Sequence, residues 1–194
     1  MLFSEIYVVL TRTTTRFGTP ALAALGLGFR VESWLFMVGV GFGAAAAAIV
    51  GQNLGAGRPD RAERAGWITT AYATLPGVLA FALELLVPER LAAIFSTDAA
   101  VIAETARYLR IAALAQLVVC AEVVLEGALG GAGDTVPPML TSTALTASRV
   151  PIAAWAADRY GTIGLWWTIS LTATARGLAM MALWKSGRWK RRRV

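Results

Sequence analysis

The chain of 194 residues contains no histidine and a single cysteine, Cys120. Without histidine there is no imidazole to act as a general base or as a switch near neutral pH. One cysteine cannot close a disulfide within the chain, and it is too little thiolate to build a metal site. Charged residues are also scarce, at 15% of the sequence against 57% apolar residues. They gather in short clusters and leave long stretches nearly free of charge. That pattern argues against an ordinary soluble surface and for segments solvated by lipid. Gly51–Gly57 is glycine-rich, but no lysine follows in phosphate-loop fashion and no strand is expected before it, so nucleotide binding is not expected. No residue set reads as an enzyme's, and neither a cofactor nor a metal is expected.

The net charge is +6, yet the basic residues lie at the ends of apolar runs and in the tail Lys185–Arg193. Membrane orientation accounts for that placement, so nucleic acid is not expected as a partner. The stretch that organises the chain is Val50–Arg64, set between the apolar runs Met37–Ile49 and Trp67–Val87. Its glycines open a turn, Pro59 stops a continuing helix, and Arg58, Arg61 and Arg64 crowd the end of a membrane segment. Clustered arginines there place the loop on the cytoplasmic side.

Counting from that loop gives five spans of roughly 20 residues or more, at about 19–50, 67–87, 101–129, 139–157 and 163–183. The first puts Arg30 and Glu32 near the outer boundary, as an interfacial pair. Pro88–Asp98 falls outside, with Phe95–Asp98 as a turn or helix cap, and Gly130–Pro138 falls inside. The outer part of the third span carries Glu104, Arg107 and Arg110. The basic tail, 184–194, returns to the inside, in agreement with the arginine loop. Trp67, Trp166, Trp167, Trp184 and Trp189 fall near these boundaries, as an interfacial aromatic belt would place them. Before the first span, residues 1–10 are apolar but short. Nine helical residues reach about 14 Å, half a hydrocarbon core, so the segment reads as part of a truncated helix and lacks the marks of a signal peptide. The fold class is an all-α, polytopic membrane helical bundle: about five full transmembrane helices plus a short first one.

Small residues dominate inside the spans, notably Gly39, Gly41, Gly43, Ala44–Ala48, Gly127, Gly130, Gly131 and Gly133. They allow close helix packing where lipid gives no hydrophobic drive between helices. Gly39-x-x-x-Gly43 is read as packing within the bundle in preference to dimerisation. Ionisable residues within lipid are costly, by about 2.5–3.5 kcal/mol at the centre, and usually face a partner or a watery cavity. Glu122 and Glu126 are expected to be the deepest acids, with i, i+4 spacing on one helix face. Arg149 is expected to pair with an acid or with headgroups. Asp60, Glu63 and Asp134 read as loop caps or salt bridges.

Several motifs, Gly51-Gln52-Asn53-Leu54-Gly55-Ala56-Gly57-Arg58-Pro59-Asp60-Arg61-Ala62-Glu63 above all, carry a family resemblance. This one resembles the loop after the second helix of a lobe in the multidrug and toxic compound extrusion family. Glu126-Gly127-Ala128-Leu129-Gly130-Gly131-Ala132-Gly133-Asp134-Thr135 is similar to that family's second cytoplasmic loop. Arg149-Val150-Pro151, Gly164-Leu165-Trp166-Trp167 and Gly187-Arg188-Trp189 resemble the last two helices of the carboxy-terminal lobe. The resemblance covers residues 1–194 in order. It implies one lobe of a two-lobe, twelve-helix transporter that exports drugs or organic cations by sodium or proton antiport. The amino-terminal lobe, a small organic or cationic substrate and the lipid bilayer would be its partners. The inner membrane would be its location, with the carboxy terminus cytoplasmic.

The sequence departs from the family pattern in places. Gly130 stands where an arginine is common. Ala115 and Val119 stand where ion-coupled members carry a tyrosine and an aspartate. Glu5 falls near an acid of the lobe's first helix. The candidates for ion or proton coupling are therefore Glu122, Glu126, Glu5 and Glu32. Gly51, Gln52, Gly55, Gly57, Gly131, Gly133 and Asp134 are loop residues expected to shape or gate the cytoplasmic face. Two alternatives stay open: a flippase of lipid-linked oligosaccharides, and a non-transporting remnant or assembly partner of another lobe.

Overall fold

The computed structural model describes residues 2–191, with side chains from Ile6 to Arg191. Among these residues the regular structure is entirely helical. The helices are α1 (Leu2–Thr15), α2 (Thr19–Gly55), α3 (Pro59–Leu86), α4 (Pro88–Ala93), α5 (Ala99–Gly131) and α6 (Val136–Lys185), followed by a 3-10 turn at Arg188–Arg191. Prolines sit in the first turn of α2, α3, α4 and α6, where a missing amide hydrogen costs nothing. Asp98 caps α5 by accepting from the amides of Ala100, at 2.7 Å, and Val101, at 3.2 Å. The turn expected at Phe95–Asp98 is thus a cap as well.

The two glycine-rich loops end their helices by the same device. Gly57 (φ 68°) and Gly133 (φ 73°) adopt the left-handed conformation just past α2 and α5. The next amides, of Arg58 and Asp134, reach back five residues to the carbonyls of Asn53 (2.8 Å) and Leu129 (2.9 Å). This double-bonded ending satisfies carbonyls that a helix end otherwise leaves open. Gly161, with φ 65° and ψ −146°, breaks α6 into two arms. The segments expected at 139–157 and 163–183 lie in those arms.

Among the described residues three helices are long and apolar enough to cross a bilayer: Thr19–Gly55, Pro59–Leu86 and Ala99–Gly131. The arms of α6 carry threonines, serines, Arg149 and Arg176, which dilute their apolar character. The protein is an all-α membrane bundle.

α5 is the central helix, touching α2, α3, α4 and α6. Its seam with α2 is built from small residues. A Cβ at Gly43 would lie 3.0 Å from the Val123 carbonyl oxygen, and one at Gly127 would lie 2.5 Å from that of Gly43. One at Gly131 would collide with the Ala47 carbonyl. Gly39 packs on the Val123 side chain, so the Gly39–Gly43 motif serves the bundle itself.

Two apolar clusters fill the bundle. One gathers Ile6, Leu10, Leu25, Tyr108, Leu165 and Trp166; the other gathers Val50, Val124, Leu125, Leu129, Trp184 and Trp189. Trp184 and Trp189 are fully buried and stack with centroids 4.0 Å apart and planes 8° from parallel. Trp189 Nε1 donates to the Trp184 carbonyl at 2.8 Å, and Gly66 leaves room for the Trp184 ring. Trp166 is buried too. These three tryptophans therefore belong to the core, not to the expected interfacial belt. Two of the three indoles find internal acceptors, Trp189 in the Trp184 carbonyl and Trp166 in Glu104 Oε1 at 2.9 Å, whereas Trp184 is held by stacking on Trp189. Trp167 does stay exposed.

Candidate functional site: ionisable groups inside the bundle

α5 presents Tyr108 to α2, where Gly28 leaves space for its ring. Its hydroxyl donates to Glu32 Oε1 at 2.7 Å. The pairing of Glu32 with Arg30 does not form, and Arg30 is exposed. Residues two apart point to different sides of a helix, so Glu32 turns inward while Arg30 turns out.

The first arm of α6 brings in Arg149. It is buried, and its Nε donates to Thr172 Oγ1 of the second arm at 2.8 Å. It lies within electrostatic reach of Glu32, Tyr7 and Arg176. One turn beyond Thr172, Arg176 donates to and forms an ion pair with Glu122 of α5. The helices come close here because Gly177 faces Val118, where a Cβ would stand 2.7 Å from the valine Cβ. Between α2, α5 and the arms of α6 the bundle thus holds two acids, Glu32 and Glu122, with two arginines, Arg149 and Arg176. Such a balanced set can take up a proton or a small cation on an acid when an arginine changes partner.

The four sequence candidates separate in space. Glu122 is buried, at 3% exposure. Glu126 is exposed, so the two are not equally deep. The Glu5 side chain lies outside the described residues. Glu32 sits half-buried against Tyr108. Among the described side chains the most buried acid is Glu84 of α3, at 1% exposure, with Oε1 accepting from Gln116 Nε2 at 2.9 Å. Sequence reasoning passed over Glu84, Gln116, Arg176 and Tyr108. For Glu84 and Arg176 the signal was present: each is a charge alone in an otherwise apolar segment.

At the end of the bundle that carries the loops, Gly51 packs on the Gly131 carbonyl, where a Cβ would stand 3.1 Å from the oxygen. The two motifs therefore meet at one end of the bundle. Asp134 is buried and engaged, whereas Gln52 and Gly55 are exposed. Lys190 reaches the same end, with Nζ 3.2 Å from Asp60 Oδ1 and 2.6 Å from Glu63 Oε2. Glu63 first, then Asp60, holds the Lys190 pKa above the ordinary lysine value.

The sequence profile of the MatE family matches residues 1–155. The chain belongs to the MatE family. A relative from Brucella suis biovar 1, named a probable multidrug resistance protein NorM, is 33% identical over 186 residues. That match covers 91% of this chain and 38% of the relative. The multidrug resistance protein NorM of Burkholderia vietnamiensis is 31% identical over 194 residues, covering 94% of this chain and 41% of the relative. The MatE chain thus spans about two fifths of the length of the relatives it matches. Among solved structures, an outward-facing multidrug resistance MATE transporter of the MOP superfamily superposes with a TM-score of 0.82 at 17% identity. It covers 92% of this chain and 40% of the other, and at that identity it speaks for the fold alone.

Proposed function

We propose that this MatE chain works as one lobe of a secondary transporter that exports drugs or organic cations in exchange for sodium or protons. The observation that carries the reading is the Glu122–Arg176 pair, with Glu32 and Arg149 nearby, inside helices otherwise fit for lipid. Relatives named multidrug resistance proteins supply the substrate class. An exchanger needs a group whose charge or occupancy differs between its two access states, and these acids are such groups. Alternating access moves one repeat against another around a site between them, so the lobe acts beside an amino-terminal lobe. The arginine loop, the second glycine loop and the docked tail face the cytoplasm of the inner membrane in this reading, as clustered arginines favour.

A lipid-linked oligosaccharide flippase is the second reading, favoured by Arg149 and Arg176 within the bundle. Their neutralisation by Glu122 and Glu32 weakens it, because an anionic substrate calls for unbalanced positive charge.

The test is efflux of a fluorescent organic cation from proteoliposomes. The chain alone should give none. The chain assembled with an amino-terminal MatE lobe should give efflux that depends on a sodium or proton gradient. Robust efflux by the chain alone, or none from the assembled pair, would contradict the reading.

A further inference from the structure

We infer that Glu84 and Gln116, facing each other across the α3–α5 seam, form a proton-binding site separate from the Glu122–Arg176 pair. Glu84 is the most enclosed acid among the described side chains, at 1% exposure. Its Oε1 accepts one hydrogen bond, from the neutral amide of Gln116 at 2.9 Å. Its Oε2 is sealed from solvent and has no hydrogen-bond partner. A buried carboxylate stays ionised when a cation or several donors compensate for lost water. Glu84 has a single neutral donor and no ion pair.

The titratable groups on the elements packed against α3 give no compensation. On α2 the nearest is Glu32, another acid, and it is the charge within electrostatic reach of Glu84. On α5, Tyr108 is bound to Glu32 and Cys120 is directed at the Leu35 carbonyl. Arg110 of α5 is spent on Glu89 of α4, at 2.5 Å, and α4 also carries Arg90. The proton is held as the O–H of Oε2: that bond forms with a proton taken from water and breaks to return it. The amide of Gln116 then binds the carbonyl-like Oε1, as suits a neutral acid.

The enclosure comes from the backbone. A Cβ at Gly77 would collide with the Gln116 carbonyl, so α3 and α5 cross in close contact just below the pair. Pro76, inside α3 beside that crossing, removes one intrahelical hydrogen bond. Movement at this crossing would open Glu84 to water, and the site would load or release its proton there. This consequence rests on the exporter reading; the occupancy of the site does not.

The test reads protonation directly in the purified full chain in lipid, with no transport needed. Infrared spectra are taken at neutral pH in wild type and in Glu84→Gln, Gln116→Leu, Glu32→Gln and Glu122→Gln. The expected result is a carbonyl-stretch band of a protonated carboxyl in wild type, lost in Glu84→Gln and shifted in Gln116→Leu. The band should persist in Glu32→Gln and Glu122→Gln. Absence of the band in wild type, or its loss in Glu32→Gln or Glu122→Gln with persistence in Glu84→Gln, would overturn the assignment. Should Glu84→Gln not fold, the Gln116→Leu shift decides: an unmoved band places the proton elsewhere. Replacing choline by sodium at fixed pH should leave the band in place; its loss would mean a sodium site, and would overturn the proton assignment too.

Discussion

Glu122 and Arg176 show how a single buried pair constrains what each residue can become. Removing one member of such a pair leaves an uncompensated charge and costs about 3–5 kcal/mol, whereas replacing both by apolar residues of similar size is close to neutral. Glu122→Leu and Arg176→Met should therefore each lower stability by about that much in detergent unfolding, and the double variant should recover most of the loss. Additive losses would mean that the pair is not coupled. At this scale the sequence revealed half of the site. Glu122 stands out because it is an acid within an apolar run, and Arg176 carries the same mark. The partnership of Glu32 with Tyr108 spans 76 positions and depends on the α2–α5 seam. No local pattern announces it; the shared place of Arg30 and Glu32 near the outer boundary suggested a different partner.

Among the elements, glycine and proline punctuation made the loops readable: Pro59, Gly57 and Gly133 end or start helices where steric rules require. The α2–α5 seam is equally a matter of small residues, so Gly131→Ala should force a shift against the Ala47 carbonyl and cost about 1–3 kcal/mol by overpacking. A thermal midpoint unchanged from wild type would contradict that close approach. The tail was harder to read. Charge marked residues 184–194 as a basic tail on the inner side, with Trp189 at the interface, yet Trp189 folds back under Trp184. Two forces hold it. Exposed ion pairs such as those of Lys190 contribute about 0–1 kcal/mol, while truncating a buried tryptophan costs about 3–5 kcal/mol. Trp189→Ala should therefore expose Arg188 to trypsin far more than Lys190→Ala does. The Lys190 share should also be pH-dependent. Because Glu63 and Asp60 raise its folded pKa, that contribution is complete below the ordinary lysine pKa and fades as pH rises through the raised value. Equal clipping of the two variants would contradict this ranking.

For the whole molecule, the chain is an apolar bundle whose interior keeps a small set of ionisable groups, with Glu32 and Glu122 set against Arg149 and Arg176. The proposed exporter depends on those acids changing occupancy as two lobes move, and desolvated carboxyls are suited to that task. The most direct measurement is gradient-driven efflux by the chain assembled with an amino-terminal lobe in liposomes. Glu122→Gln, Glu126→Gln, Glu5→Gln and Glu32→Gln are compared with wild type, and Glu122→Gln is also made with Arg176→Gln to relieve the unpaired arginine. At least one variant should fold and bind substrate as wild type does, yet lose the dependence of efflux on the ion gradient, with Glu122→Gln/Arg176→Gln foremost. Efflux that keeps its full gradient dependence in all of them would contradict the account and place coupling outside these four acids.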